Sequence, residues 1–429
     1  MSPSNETAEG REAPLVIVGA GQAGAMAARA LRELGHAGEL VLIGDEPHAP
    51  YERPPLSKAV LADEGMPDIG LLPEPFQAQS GLALKRGRRV VRLDPARREL
   101  HLDDGGVQPY RACLLATGGG VRVLPALPPG TPGVHYLRTL DDARGLRAAL
   151  RTARSLLVIG GGFLGLEIAS TARALGLDVT VIELGPALLG RVMPPEASRW
   201  LATRVQAHGV RLLLGAKLSG LEAVGGGIAA TLADAGELRA ELAVVAVGQE
   251  PNVALAREAG LLIDAANGGI RVDARCRTSA EGVYAAGDCA SGFDAATGTH
   301  RRLESWQNAN EQARIAAAAM LGEAAEPPPP PWFWTDQFGC NIQMLGHGAP
   351  GLAYHLRGPL PEGREPGKAM LFGIDGDRLV HAIAINAGGD LRAFRNVLGR
   401  SLACAPETLA DAGIPAKQLA RLALGPASA

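Results

Sequence analysis

The clearest chemistry in this sequence lies in two short glycine-rich stretches. G-A-G-Q-A-G, from Gly19 to Gly24, and G-G-G-F-L-G, from Gly160 to Gly165, share the spacing Gly-x-Gly-x-x-Gly. In such a loop the first glycine permits a tight turn, the second lets backbone amides approach a pyrophosphate, and the third lets a helix pack closely on a strand. The phosphate then lies at a helix N-terminus, where free N–H groups and the helix dipole favour negative charge. Gly19, Gly21 and Gly24 in the first copy, and Gly160, Gly162 and Gly165 in the second, are the candidate cofactor-binding positions. Two loops imply two dinucleotides. Glu183, at a strand end after the second loop, is placed to accept hydrogen bonds from an adenosine ribose diol. A carboxylate there repels a 2′-phosphate, so NADH is expected over NADPH. In the first copy the corresponding strand ends in Gly44, and the acid, Asp45, comes one residue late.

The elements that must hold these residues repeat in the same order. Leu15 to Val18 reads as a strand, followed by the first loop, a helical pattern through Leu34 and a stop at Gly35. Leu156 to Ile159 reads as a strand, followed by the second loop, a helical pattern through Leu175 and a stop at Gly176. The next strands, Leu40 to Ile43 and Val179 to Ile182, lead to Asp45 and Glu183.

A chain of 429 residues has room for several domains, and with 47% hydrophobic and 20% charged residues it reads as an ordinary globular protein. A net charge of −3 provides no field for nucleic acid or an anionic membrane. The polar, acidic start from Met1 to Pro14 lacks a secretory pattern, and no apolar run approaches the roughly 18–20 residues of a membrane span. Cytoplasmic residence is expected. Cys113, Cys276, Cys289, Cys340 and Cys404 form no C-x-x-C pair and no cluster of ligands, so no disulfide framework and no metal or iron–sulfur site is expected.

Further motifs carry a resemblance. G-V-Y-A-A-G-D-C-A, from Gly282 to Ala290, resembles the second FAD motif of flavoprotein reductases. L-L-A-T-G, from Leu114 to Gly118, and V-G-Q-E-P-N, from Val247 to Asn252, resemble the passages into and out of an inserted NAD domain. Y-E-R-P-P-L-S-K from Tyr51, E-S-W-Q-N-A from Glu304 and W-F-W-T-D-Q from Trp332 narrow the likeness to the oxygenase-coupled NADH–ferredoxin reductases of the FAD-dependent pyridine nucleotide-disulfide oxidoreductase superfamily. The resemblance implies that Ala23, Asp45, Lys58, Val90, Arg138, Asp288 and Trp306 line FAD. It implies that Glu167 and Glu183 face the nicotinamide and ribose of NADH, with Gly248 on the NAD side. Lys58 and Glu167 are the pair nearest the chemistry by that resemblance; the alternative for them is a structural ion pair. Val90 also reads as an ordinary core residue of a strand, and Arg138 as a surface arginine. No cysteine precedes Cys113, so a thiol relay beside the flavin is not expected.

The expected fold class is α/β, with two Rossmann-like dinucleotide-binding domains, for FAD and NAD, plus a C-terminal α+β domain. The boundaries read as an FAD domain split into 1–118 and 248–326, an NAD domain at 119–247, and a C-terminal domain at 327–429, entered through the prolines from Pro327 to Pro331; the resemblance implies that this last domain helps form the acceptor surface. The expected activity is that of an FAD-dependent NADH:ferredoxin oxidoreductase, with a [2Fe–2S] ferredoxin as partner and, beyond it, a cytochrome P450 or ring-hydroxylating oxygenase. Trp306, Trp332 and Trp334, with Arg301, Arg302, Arg392, Arg395 and Arg400, are candidates for the docking face. A rubredoxin reductase or NADH oxidase with the same cofactors, or a redox signalling protein of the apoptosis-inducing-factor type, are the alternatives.

Overall fold

The structure, a computed structural model, describes residues 13–425 apart from 63–64, 226, 234–235, 295–297 and 350. All but the last two residues of the polar start lie outside it. The chain forms two compact units. The first comprises the chain up to Glu52, Asp68–Gly120 and Glu250–Pro328; the second comprises Arg53–Pro67, Val121–Gln249 and the chain from Pro329 onward.

The first unit is built on a five-stranded parallel sheet. Leu15–Val18 pairs with Leu40–Gly44 on one side and Ala112–Leu115 on the other, with Leu82–Arg86 and Val283–Ala285 at the edges. Alternation along each strand decides its two faces. Leu15, Ile17, Leu40, Leu42 and Leu114 pack toward one hydrophobic cluster with the helices Gln22–Glu33 and Trp306–Met320. Val16, Val18, Val41, Ile43 and Leu115 face a second cluster. Both faces are covered, so these strands read as unbroken apolar runs rather than as alternating ones.

The second unit repeats the plan. Ser155–Ile159 lies between Asp178–Glu183 and Leu242–Val245, with Arg211–Leu214 and Val134–His135 outside, all parallel. It also contains an antiparallel sheet in the order Trp332–Gln337, Cys340–Gly346, Arg378–Ile385, Ala369–Asp375, Ala353–Arg357. The helix Ala416–Leu424 and the segment Leu391–Val397 cover one face through Leu419, Ala423 and Phe394. The fold class is therefore the one expected: parallel-sheet α/β units plus a C-terminal antiparallel sheet with helices.

Candidate dinucleotide-binding site

The two glycine loops are the same object built twice. Gly19 and Gly160 adopt φ +110° and +109°, a region open to glycine. A Cβ on Gly19 would stand 2.2 Å from the Ala116 carbonyl oxygen, and one on Gly160 would stand 2.3 Å from that of Ala246. A Cβ on Gly24 would stand 1.9 Å from the Gly19 oxygen, and one on Gly165 would stand 2.1 Å from the Gly160 oxygen. These four glycines are required by the chain's own backbone. Gly21 and Gly162 differ: both are extended, at φ −84° and −78°, and a Cβ on either would meet nothing within 4 Å. Internal packing gives no reason for glycine at these two positions; a ligand filling the open space does.

Electrostatics agree with that reading. The helices Gln22–Glu33 and Phe163–Ala174 have no side-chain N-cap and no acidic residue in the first turn. By contrast, Leu140–Leu150 starts with a complete capping box from Thr139 and Asp142. The uncapped helix starts leave N–H groups for an anion. Each loop follows the carboxyl end of the central strand of its sheet, between that strand's two parallel neighbours, the end at which open parallel sheets bind ligands. There Gly118 and Gly248, both at positive φ, follow Ala116 and Ala246. The passages L-L-A-T-G and V-V-A-V-G are thus equivalent parts of the repeat, a match not read from the sequence. The residues fit two dinucleotide pyrophosphates.

The late acid has a steric cause. Pairing of Val18 with Ile43 and of Ile159 with Ile182 makes Gly44 the counterpart of Glu183, and Asp45 that of Leu184. In the second copy Gly161 leaves room, and the Glu183 carboxylate accepts hydrogen bonds from the backbone N–H of Gly161 at 2.7 Å and of Gly185 at 2.6 Å. In the first copy Ala20 replaces Gly161, and a Cβ on Gly44 would stand 2.5 Å from the Ala20 methyl carbon. No side chain fits there, so the nearest acid is Asp45, an exposed residue 3.4 Å from Arg89.

Within the first unit the structure gathers several of the remaining candidates. Gly287, just before Asp288, lies against the Ala23 methyl, since a Cβ on it would stand 3.0 Å away. Asp288 follows the edge strand Val283–Ala285, and Arg302 donates to its carbonyl. Trp306 opens its helix beside the first glycine-loop helix; Gln22 donates to Asn310 at 2.9 Å, and the Trp306 indole donates to Glu52 at 3.3 Å. Val90 begins the strand Val90–Asp94, half-buried, directly after Arg88 and Arg89, which reach Gly44 and Asp45. Lys58 and Arg138 belong to the second unit. Arg138 precedes the capped helix, its N–H donating to Asp142 and its carbonyl accepting from Arg53.

In the second unit Glu167 lies one turn into the helix of the second loop and is 7% exposed. Lys58 Nζ donates to its Oε1 at 2.8 Å, Thr335 Oγ1 to the same oxygen at 2.6 Å, and Ser57 Oγ to Oε2 at 2.6 Å. An exposed ion pair contributes about 0–1 kcal/mol. Here one partner is buried, and stranding it would cost roughly 3–5 kcal/mol. Ser57 and Thr335 were not singled out from the sequence; they lie 110 and 168 residues from Glu167.

Periodicity explains how Thr335 arrives. Phe163, Glu167 and Ser170 form one stripe of the helix at i, i+4 and i+7. They meet Phe333 at 4.5 Å between ring centroids, Thr335, and the Phe338 N–H, which donates to Ser170 Oγ at 2.7 Å. Phe338 and Gly339 make a two-residue hairpin turn with φ +48° and +69°. Phenylalanine is a poor residue for that region, costing about 1–2 kcal/mol. Its anchoring offsets this: Arg204 Nε donates to its carbonyl at 2.9 Å, and its ring lies 5.5 Å from that of His208.

The candidate docking residues are placed as follows. Trp332 and Trp334 stack at 5.0 Å, and Trp332 packs against the C-terminal core with Arg395 6.0 Å from its ring. Arg302 is only 14% exposed and paired with Glu304, whereas Arg301 lies 3.8 Å from Asp294. Cys113, Cys276, Cys289 and Cys340 are buried. Burial pushes the Cys276 thiol up to about 12 and raises the other three above the ordinary thiol range. A thiolate is therefore disfavoured at all four. Among the described residues no helix is long and apolar enough to cross a membrane.

Two parallel sheets, each with a glycine cradle whose open space fits a pyrophosphate, define a fold of the two-site dinucleotide-binding class. Residues 13–313 match the pyridine nucleotide-disulphide oxidoreductase family, and the chain belongs to it. Residues 332–420 match the reductase C-terminal family. The 3-phenylpropionate/cinnamic acid dioxygenase ferredoxin–NAD(+) reductase component of Photorhabdus laumondii subsp. laumondii is 40% identical over 388 residues, 90% of this chain and 96% of the relative. The crystal structure of the ferredoxin reductase for the CYP199A2 system from Rhodopseudomonas palustris superposes with a TM-score of 0.89 at 36% identity, covering 96% of this chain and all of that one. Putidaredoxin reductase, in its covalent complex with putidaredoxin, superposes with a TM-score of 0.90 at 32% identity, covering 97% of this chain and all of that one.

Proposed function

We propose that this chain is a cytoplasmic NADH-oxidising, FAD-containing reductase that delivers electrons singly to a [2Fe–2S] ferredoxin serving an oxygenase. The observation that carries the reading is the duplicated cradle with its unexplained open space at Gly21 and Gly162. The relatives support the partner: one is the reductase component of a dioxygenase system, and one is a reductase joined to its ferredoxin. When bound, the two cofactors supply the chemistry, a hydride moving from dihydronicotinamide to flavin and electrons then leaving one at a time to the iron–sulfur carrier.

The chain's own residues bind, orient and hold charge. Gly19, Gly21 and Gly24 form the FAD set, to which family resemblance adds Ala23, Asp45, Lys58, Val90, Arg138, Asp288 and Trp306. Gly160, Gly162, Gly165, Gly248, Glu167 and Glu183 form the NADH set. Glu183, held by two backbone amides, presents a fixed carboxylate to a ribose diol and repels a 2′-phosphate. Lys58 and Glu167 keep a cation and an anion together in a largely dry setting, where a charge acts more strongly than in water.

Purified protein is expected to be yellow, to bleach with NADH under anaerobic conditions, and to reduce cytochrome c only when a [2Fe–2S] ferredoxin is added. Protein that stays colourless after incubation with FAD overturns the reading. Rapid turnover with oxygen alone would replace it with an NADH oxidase.

A further inference from the structure

Three donors from two distant parts of the chain, Ser57 and Lys58 on one and Thr335 on the other, reach the Glu167 carboxylate. Ser57 and Thr335 are buried, at 2% and 0% exposure, and each donates to a different carboxylate oxygen. A carboxylate offers about four lone-pair sites. Lys58 and Thr335 occupy Oε1 and Ser57 occupies Oε2, so among the described residues the open site lies on Oε2. Each hydroxyl is itself fixed. Gln337 Nε2 donates to Thr335 Oγ1 at 3.3 Å, which leaves the threonine proton for Glu167. Thr171, one turn beyond Glu167 on the same helix, donates to the Ser57 carbonyl at 2.9 Å. Lys58 Nζ also donates to the Pro54 carbonyl at 3.3 Å, so the ammonium is tethered from two sides.

We propose that Thr335 and Ser57 are positioning residues for hydride transfer: each locks one oxygen of Glu167, so that Lys58 and the open lone pair keep a single geometry toward the nicotinamide. The proposal rests on the reading of the chain as an NADH-oxidising flavoprotein. Either hydroxyl can be removed without changing the charge of the site. A hydroxyl that merely fastened strand to helix would affect stability and leave the chemical step alone, whereas loss of positioning slows that step because reaction rates depend steeply on alignment.

The test uses the flavin-loaded protein in anaerobic stopped-flow, reading loss of flavin absorbance against NADH concentration. Thr335→Val is expected to lower the limiting rate about tenfold or more while the NADH dissociation constant stays within about twofold. Ser57→Ala is expected to act in the same direction, and Thr335→Ser to restore the rate. Melting of the flavin-loaded protein is measured alongside; a lower melting temperature with an unchanged limiting rate assigns a structural role and overturns the proposal. So does a Thr335→Ser protein no faster than Thr335→Val. Should Thr335→Val fail to fold, Ser57→Ala decides, and an unchanged limiting rate there refutes the proposal. Wild-type protein that NADH leaves oxidised refutes the functional reading and the proposal with it; normal wild-type reduction with unaffected variants refutes the proposal alone.

Discussion

Replacing Gly162 and Gly165 separately by alanine distinguishes a ligand-facing glycine from a fold-required one. At Gly162 the backbone is extended, φ −78° and ψ −178°, and the new methyl meets nothing within 4 Å. The fold loses only the small preference for glycine over alanine at a helix N-cap, about 0.5–1 kcal/mol. The methyl does, however, occupy the space assigned to the NADH pyrophosphate, and overpacking there costs about 1–3 kcal/mol. The NADH dissociation constant should therefore rise between about 5- and 150-fold. At Gly165 the methyl carbon would stand 2.1 Å from the Gly160 carbonyl oxygen and 3.2 Å from a Val158 methyl. Helix and loop must separate, at a cost of roughly 3 kcal/mol or more. Calorimetric melting of the apoproteins and NADH titration of the flavin-loaded proteins check both. Tight NADH binding by Gly162→Ala, or destabilisation as large as that of Gly165→Ala, would refute the assignment of that space to a ligand.

Three further outcomes follow from the geometry. Glu183→Ala removes the carboxylate held by Gly161 and Gly185, and should narrow the ratio of NADH to NADPH efficiency by about 10- to 100-fold in steady-state assays; an unchanged ratio removes Glu183 from ribose recognition. Gly44→Ala should destabilise the protein by about 1–3 kcal/mol through the Ala20 methyl, and Ala20→Gly in the same chain should recover most of it, a non-additivity read in a double-mutant cycle. His381, 1% exposed and bonded to Tyr354 at 2.7 Å, has its pKa lowered by burial and by His347 to about 4. A depressed histidine pKa contributes stability that is present above the unfolded value near 6.5 and lost as pH falls toward 4. The loss is about 3 kcal/mol over that window, and His381→Gln should flatten that part of the profile in pH-dependent denaturant melts.

Much of the parallel-sheet framework was legible in the sequence. Leu15–Val18 is a strand as read, and the first helix, Gln22–Glu33, stops just before Gly35 at φ +84°. These features are set by contacts within about thirty residues, because a turn, a helix stop and a buried strand each carry a local signature. The C-terminal strands read at Ala369–Ile374 and Leu379–Ile385 occur as Ala369–Asp375 and Arg378–Ile385. Cys340–Gly346 and Ala353–Arg357 were not read, since each interleaves polar with apolar residues instead of forming an unbroken apolar run like Ala369–Ile374.

The sequence by itself therefore determined the duplicated strand, loop and helix, and with them the class of ligand, because the Gly-x-Gly-x-x-Gly spacing between a strand and a helix is a pattern written in consecutive residues. Only the tertiary structure decided what surrounds Glu167. Ser57, Lys58 and Thr335 converge on one carboxylate from distant segments, and no local pattern records a hydrogen bond between residues 168 positions apart. It also decided why the first copy lacks an acid at position 44: the Ala20 methyl and a side chain at that position would occupy the same volume, a conflict that exists only once the two strands lie side by side.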